Sequence, residues 1–244
     1  MPKVPRQRLA TSIEYAVSDR TPLDYLIIAR ELSASRAKKP IKFLAMGSDI
    51  LKLKREMRET LAPPRTGQRA WTFSQAAATS DLLDLLAQII QWYITHRRSP
   101  LAEESGDEDT IKSTSAKPMS DAAFVESIGG VDLSHGTEFQ QKVWRYLISD
   151  CPGVECRSYQ DLSMKLFGDS AHSRAVGRAC ASNRISLLVP CHRVVRRAPT
   201  MKDNKAKPRT DEDGYRWGRW RKEKLLDWEL EEGLKTLSVC GLAV

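Results

Sequence analysis

The chain has 244 residues, 41% of them hydrophobic, enough for one large domain or two small ones with an ordinary buried core. Mean hydropathy is -0.44, and no apolar run approaches the roughly 18 residues of a membrane-spanning helix, which argues against a membrane partner. The basic start Met1-Pro2-Lys3-Val4-Pro5-Arg6 lacks the apolar stretch of a secretory signal. Five cysteines are too few and odd in number for a disulfide framework, so a reducing compartment is expected. The formal net charge is +8, and residues 135–198 carry ten Lys and Arg against five Asp and Glu. This balance favours a polyanionic partner, nucleic acid first, with a solvated basic face as the alternative.

In chain order, residues 1–96 read as a small α+β support domain. Apolar, strand-forming runs fall at 13–17, 25–29 and 41–45, with a turn at Thr21-Pro22 between the first two. Ser48 is placed to cap a helix carrying Ile50, Leu51, Leu53 and Met57. A second helix is predicted from Ser80-Asp81, with Leu82, Leu85, Leu86, Ile89, Ile90 and Tyr93 forming its apolar stripe. Periodicity then vanishes, and 97–130, acid-rich at 103–109, reads as a mobile linker.

Pattern returns at Gly136-Thr137-Glu138-Phe139-Gln140. Thr137 and Gln140 have capping-box spacing, and Phe139, Val143 and Leu147 share a helical face. A second box at Ser158-Tyr159-Gln160-Asp161 opens a helix that Gly168 ends, and Ser170 is expected to start the next one. Helix, short turn, helix is the helix-turn-helix arrangement, although αα-hairpins that never touch DNA share it. The second helix sets Arg174 and Arg178 among small residues, which suits either close approach to nucleic acid or tight helix packing.

A β-rich run at 185–189 is interrupted by Pro190, and Cys191-His192-Arg193 follows. A cysteine beside histidine and arginine has the ingredients of a thiolate-favouring site, and the thiolate is the nucleophile. Cys151, Cys156, Cys180 and Cys240 read as inert core cysteines. Cys180, Cys191, His192 and His172 lack zinc-ligand spacing, and no Cys-x-x-Cys motif supports a redox enzyme.

From about Val131 to Leu230, excluding a loop, these motifs resemble the O6-alkylguanine-DNA alkyltransferases, the methylated-DNA–protein-cysteine methyltransferases. The most specific is Pro190-Cys191-His192-Arg193-Val194. Gly136-Thr137-Glu138-Phe139-Gln140, Ser158-Tyr159, Arg174-Ala175-Val176-Gly177, Asn183, Gly214-Tyr215-Arg216-Trp217-Gly218 and Arg221-Lys222 through Glu229 follow in order. The resemblance implies an α+β protein whose mainly helical, winged-helix-like C-terminal domain spans 131–235, with a basic loop at 196–213 and a tail at 236–244. It implies DNA repair by irreversible, single-turnover alkyl transfer from O6-alkylguanine in double-stranded DNA to Cys191, without metal or organic cofactor.

In that scheme His192 is the water-mediated base, Glu229 orients it, and Asn183 holds the local hydrogen-bond network. Tyr159 protonates the leaving guanine, while Tyr215, Val189, Trp217 and Ser186 line the pocket. A base stacked in a duplex is out of reach, so it is flipped. Arg174 would fill the gap, and the helix bearing Ala175, Gly177 and Arg178 would lie in the minor groove. The resemblance further implies a monomer, nuclear in a eukaryote and cytoplasmic in a bacterium.

The chain departs from the family pattern in several places. Arg184 and Ser186 stand where prolines are common, one extra residue separates Tyr159 from Arg174, and the basic loop is longer than usual. That loop reads as an insertion, an additional DNA contact or part of an import signal. Trp217 and Ser186 suggest a pocket that favours methyl over benzyl adducts. A lesion binder without transferase activity, an alkylation-sensing regulator and a thiol hydrolase are the competing readings, and Cys191 speaks for transfer.

Overall fold

The computed structural model describes residues 11–18, 21–32, 39–62, 71–95, 120–151, 157–196 and 215–230. The basic loop beyond Arg196, the C-terminal tail, Cys156 and Cys240 lie outside them. The chain divides into two compact units. The first takes in 1–87, 128–132 and 184–186, and the second 88–127, 133–183 and 187–244. These boundaries differ from the expected division at 96 and 131, because short return segments join the first unit to residues distant in sequence.

In the first unit, strands β1 (Thr11–Val17), β2 (Tyr25–Glu31), β3 (Ile41–Gly47) and β4 (Trp71–Gln75) form a sheet in the order β3-β2-β1-β4. β1 pairs with β2, and β2 with β3, in antiparallel fashion; β4 joins β1 parallel. The interior of β2 is buried without alternation, as suits a central strand covered on both faces. β4 was missed because it is short, largely exposed and lacks an apolar run. Helix α1 (Ile50–Leu61) buries Leu53, Met57 and Leu61. Its N-cap is Asp49 rather than the expected Ser48, the carboxylate accepting from the amides of Leu51 and Lys52. α2 (Asp81–Thr95) begins where Ser80 and Asp81 predict.

The second unit holds the end of α2 and α3 (Asp121–Ser127), α4 (Glu138–Ser149), α5 (Tyr159–Phe167), α6 (Ser173–Ala181) and α7 (Arg219–Leu230). α3 corrects the linker reading of 97–130. Its Phe124 and Val125 are buried, and Phe124 stacks on Trp92 at 4.2 Å. Both predicted capping boxes form, at Thr137–Gln140 and Ser158–Asp161. Gly168 ends α5 in the left-handed conformation, φ 81°. α6 starts at Ser173, later than expected from Ser170, with His172 at the N-cap and no side-chain cap. Asp169 organises this turn instead, accepting from the Ala171 amide at 2.8 Å and meeting His172 Nδ1 at 3.0 Å.

α4 and α5 both pack against α6. Trp144 on α4 is fully buried, and its indole N–H donates to the Ala179 carbonyl at 2.9 Å. A two-residue parallel ladder pairs β5 (Arg157–Ser158) with β6 (Val194–Val195). It ties the N-terminus of α5 to the chain just beyond Cys191-His192-Arg193. Among the described residues no helix is long and apolar enough to cross a membrane.

Candidate active site

The expected strand at 185–189 does not form. Ile185 forms an isolated bridge to Leu44 rather than a strand, and Leu187 takes φ 62°, a left-handed conformation that costs a leucine energy and breaks the extended run. Pro190, at φ -79° and ψ 58°, then centres an inverse γ-turn in which the Cys191 amide donates to the Val189 carbonyl at 2.8 Å. Cys191–Arg193 continue as a single 3₁₀ turn. This sharp bend carries Cys191 and His192 on buried backbone packed against α7.

Cys191 is 2% exposed. Burial pushes its thiol well above the ordinary cysteine range, and a hydrogen bond with Cys180 and that group's charge push the same way. A hydrogen bond from Asn183 and the charge of Lys222 oppose them. The resting site therefore holds a thiol, and the expected thiolate preference is corrected: the anion must form during the reaction. Cys180, read as inert, is the thiol's direct neighbour. Asn183 is itself buried and donates Nδ2 to the Val189 carbonyl at 3.0 Å.

His192 is fully buried, and its Nε2 lies 2.7 Å from Glu229 Oε1. Glu229 comes from α7, where Arg221, Leu225 and Glu229 recur every four residues as a buried stripe. The carboxylate also receives Arg193 Nε at 3.1 Å on Oε2 and the Tyr93 hydroxyl at 2.7 Å on Oε1. Arg193 continues through Nη1 to Asp121 on α3 and to the Cys151 carbonyl, each at 2.6 Å. Burial works against the guanidinium charge, but Glu229 and Asp121 more than offset it, and the group stays protonated. An ionised Glu229 accepts from His192 Nε2–H, which leaves the Nδ1 position to take up a proton.

Tyr159 is the first residue of α5, and its ring lies beneath Gly177 of α6. Burial, then the charges of Cys180 and Cys191, raise its hydroxyl well above the usual phenol range. Burial likewise raises Tyr215, whose ring meets His192 edge-on at 6.5 Å and Trp217 at 5.5 Å. Trp217 is buried, and its carbonyl accepts from Arg221 at 2.8 Å. Val189 offers its carbonyl to both Asn183 and Cys191, so both lone pairs are engaged within the protein. Ser186 falls in the first unit, buried, its amide donating to the Leu44 carbonyl at 2.7 Å.

On α6, Val176, Ala179 and Cys180 face inward while Arg174 and Arg178, one turn apart, are exposed. Ala175 and Gly177 are half-buried. The second unit thus brings Cys191, His192, Glu229, Asn183, Tyr159, Tyr215 and Trp217 into one neighbourhood, with α6 presenting the two arginines. Sequence reasoning missed Tyr93, Asp121 and Lys222 as site residues, and it set Arg193 beside the cysteine without its pairing to Glu229 and Asp121. Tyr93 was counted in an apolar stripe, although a phenol in that stripe is a polar group that needs a partner when buried. Among the described residues no group of three or more His, Cys, Asp or Glu could hold a metal ion.

Residues 138–231 match the family model for the 6-O-methylguanine DNA methyltransferase, DNA binding domain. A Candida albicans protein named methylated-DNA–protein-cysteine methyltransferase is 34% identical over 56% of this chain and 70% of its own length. A Lodderomyces elongisporus protein of the same name is 37% identical over 44% of this chain, and the match spans about half, 47%, of that relative. The crystal structure of O6-methylguanine-DNA methyltransferase from Pyrococcus kodakaraensis shares the fold, with a TM-score of 0.54, 20% identity, and coverage of 88% of this chain and 98% of that one. With its reactive-cysteine motif set in this fold, the chain belongs to the methylated-DNA–protein-cysteine methyltransferase family.

Proposed function

We propose that the protein repairs DNA by moving a methyl or other alkyl group from O6 of guanine onto Cys191, once per molecule. The observation that carries this reading is a buried cysteine followed directly by a histidine whose Nε2 is held 2.7 Å from a buried glutamate. Cys191 Sγ attacks the alkyl carbon, the carbon–O6 bond breaks, and the electron pair leaves on guanine. The thiol proton passes through water to His192, where Glu229 stabilises the imidazolium. Tyr159, held in its protonated form, donates to the leaving guanine and is reprotonated from solvent. The thioether that remains is a stable end product, so turnover stops there.

Double-stranded DNA is the partner, engaged through α6. Arg178 contacts phosphate, while Arg174 occupies the space left by the flipped nucleotide. Small residues let the helix backbone approach closely, and a minor-groove surface carries little sequence information, which suits lesions at any site. Trp217 packed on Tyr215 narrows the pocket, so methyl adducts react faster than free benzylguanine after allowance for DNA's own acceleration. The protein works as a monomer, without metal or organic cofactor.

Stoichiometry tests the reading. Titrating the protein with a duplex bearing radiolabelled O6-methylguanine should saturate at one methyl group per chain. Continued release of free methanol with no labelled protein would indicate a hydrolase instead.

A further inference from the structure

We infer that Tyr93, a residue of α2 outside the matched segment and its motifs, is a positioning residue for proton transfer at His192. This inference rests on the reading of Cys191 as alkyl acceptor. The Tyr93 hydroxyl donates to Glu229 Oε1 at 2.7 Å, and its oxygen lies 2.9 Å from His192 Nε2. Together with the 2.7 Å His192–Glu229 contact, this closes a three-membered ring of hydrogen bonds in which Nε2–H faces two acceptors. A hydroxyl carries a single hydrogen. While that hydrogen goes to the ionised carboxylate, the Oη lone pair is turned to the imidazole, which keeps the ring proton on Nε2 and the Nδ1 side ready to receive one.

The placement is built rather than incidental. Tyr93 is 2% exposed, and its ring meets His192 edge-on at 6.1 Å. The neighbouring Trp92 is stacked on Phe124 of α3, with the planes 3° apart, which anchors this end of α2. α3 also supplies Asp121 to Arg193, whose Nε reaches Glu229. The charged and titratable groups around His192 are thus Tyr93 from α2, Glu229 from α7, the Tyr215 ring, and the adjacent Cys191 and Arg193. Asp121 stands behind Arg193, and Lys222 acts on Cys191. Of these, Tyr93 and Glu229 both lie within hydrogen-bond distance of Nε2.

The test is single-turnover methyl transfer from an O6-methylguanine duplex across the acidic and neutral range, for the native protein and Tyr93→Phe. The variant should react about tenfold more slowly at neutral pH, the effect of one lost hydrogen bond to a charged group. The acid limb of its pH–rate profile, where His192 must lose its proton to serve as base, should move down by about half a unit or more, because the imidazolium loses an acceptor. Lesion binding should be unchanged. An unchanged profile, a uniform loss of rate with no shift of the limb, or an upward shift overturns the inference.

Failure of the native protein to transfer would instead sink the reading of Cys191. The inference would still be read from NMR titration of His192, whose midpoint must fall in Tyr93→Phe and must not stay put. Site-specific difluorotyrosine at Tyr93 preserves the ring and hydroxyl should Tyr93→Phe fold poorly. It must give a smaller shift in the same direction, and no shift overturns the inference.

Discussion

Arg193 and Glu229 face each other inside the second unit, Nε 3.1 Å from Oε2, with their side chains 1% and 2% exposed. The pair explains how a glutamate can stay ionised beside His192 in a nearly dry interior, since the guanidinium compensates it and Asp121 compensates the guanidinium in turn. Arg193→Met removes one partner and leaves a buried carboxylate uncompensated. We expect a loss of about 3–5 kcal/mol in unfolding free energy, measured by urea denaturation. A change within about 0.5 kcal/mol would mean that the pair does not hold the site together.

Gly136 marks a close approach. A β-carbon there would lie 2.2 Å from Cζ3 of the fully buried Trp144, whose indole is pinned to Ala179 of α6. Gly136→Ala must displace the ring, at a cost of about 1–3 kcal/mol in stability and of the hydrogen bond that locates α6. A lowered melting temperature together with weaker DNA binding is the expected outcome. Native-like stability would show that Trp144 repacks freely.

Much of this was legible in the sequence, because its signals are local. The capping boxes at Thr137 and Ser158 and the terminator Gly168 each act within a single turn, and all three formed. The Cys191 motif gave the site's centre. What escaped depends on contacts between distant segments. Asp121 gains meaning only when α3 meets Arg193, and Tyr93 only when α2 meets His192 and Glu229. The run at 185–189 reads as a strand by composition, but Leu187's positive φ and the turn at Pro190 override β propensity. The thiol's resting state was misread for the same reason, since neighbouring residue types do not reveal burial.

Alkaline pH should destabilise the protein. Cys191, Tyr159 and Tyr215 are acids whose folded values lie above their unfolded ones, so unfolding releases their protons once pH exceeds the unfolded values. Below about pH 8.5 the three leave stability untouched. Above it Cys191, and from about pH 10 the two tyrosines, each remove up to about 1.4 kcal/mol per pH unit until the folded value is reached. Urea denaturation at stepped alkaline pH measures this, and a flat profile through the tyrosine range would contradict it.

Arg174 and Arg178 are exposed, so replacing either with alanine should leave stability within about 0.5 kcal/mol. The two should part on DNA. Arg178→Ala should weaken binding to any duplex and lower the salt slope by about 0.9, one phosphate contact. Arg174→Ala should chiefly slow transfer from duplex DNA, while reaction with the free base stays native. Equal loss on both substrates would place Arg174 in the fold or the pocket instead.

The most direct measurement is the mass of the peptide bearing Cys191 after the protein meets duplex DNA containing O6-methylguanine. The account predicts one added methyl group on that peptide, absent with unmodified DNA and absent in Cys191→Ser. Tight lesion binding with no methylated peptide would contradict it and make the protein a damage sensor.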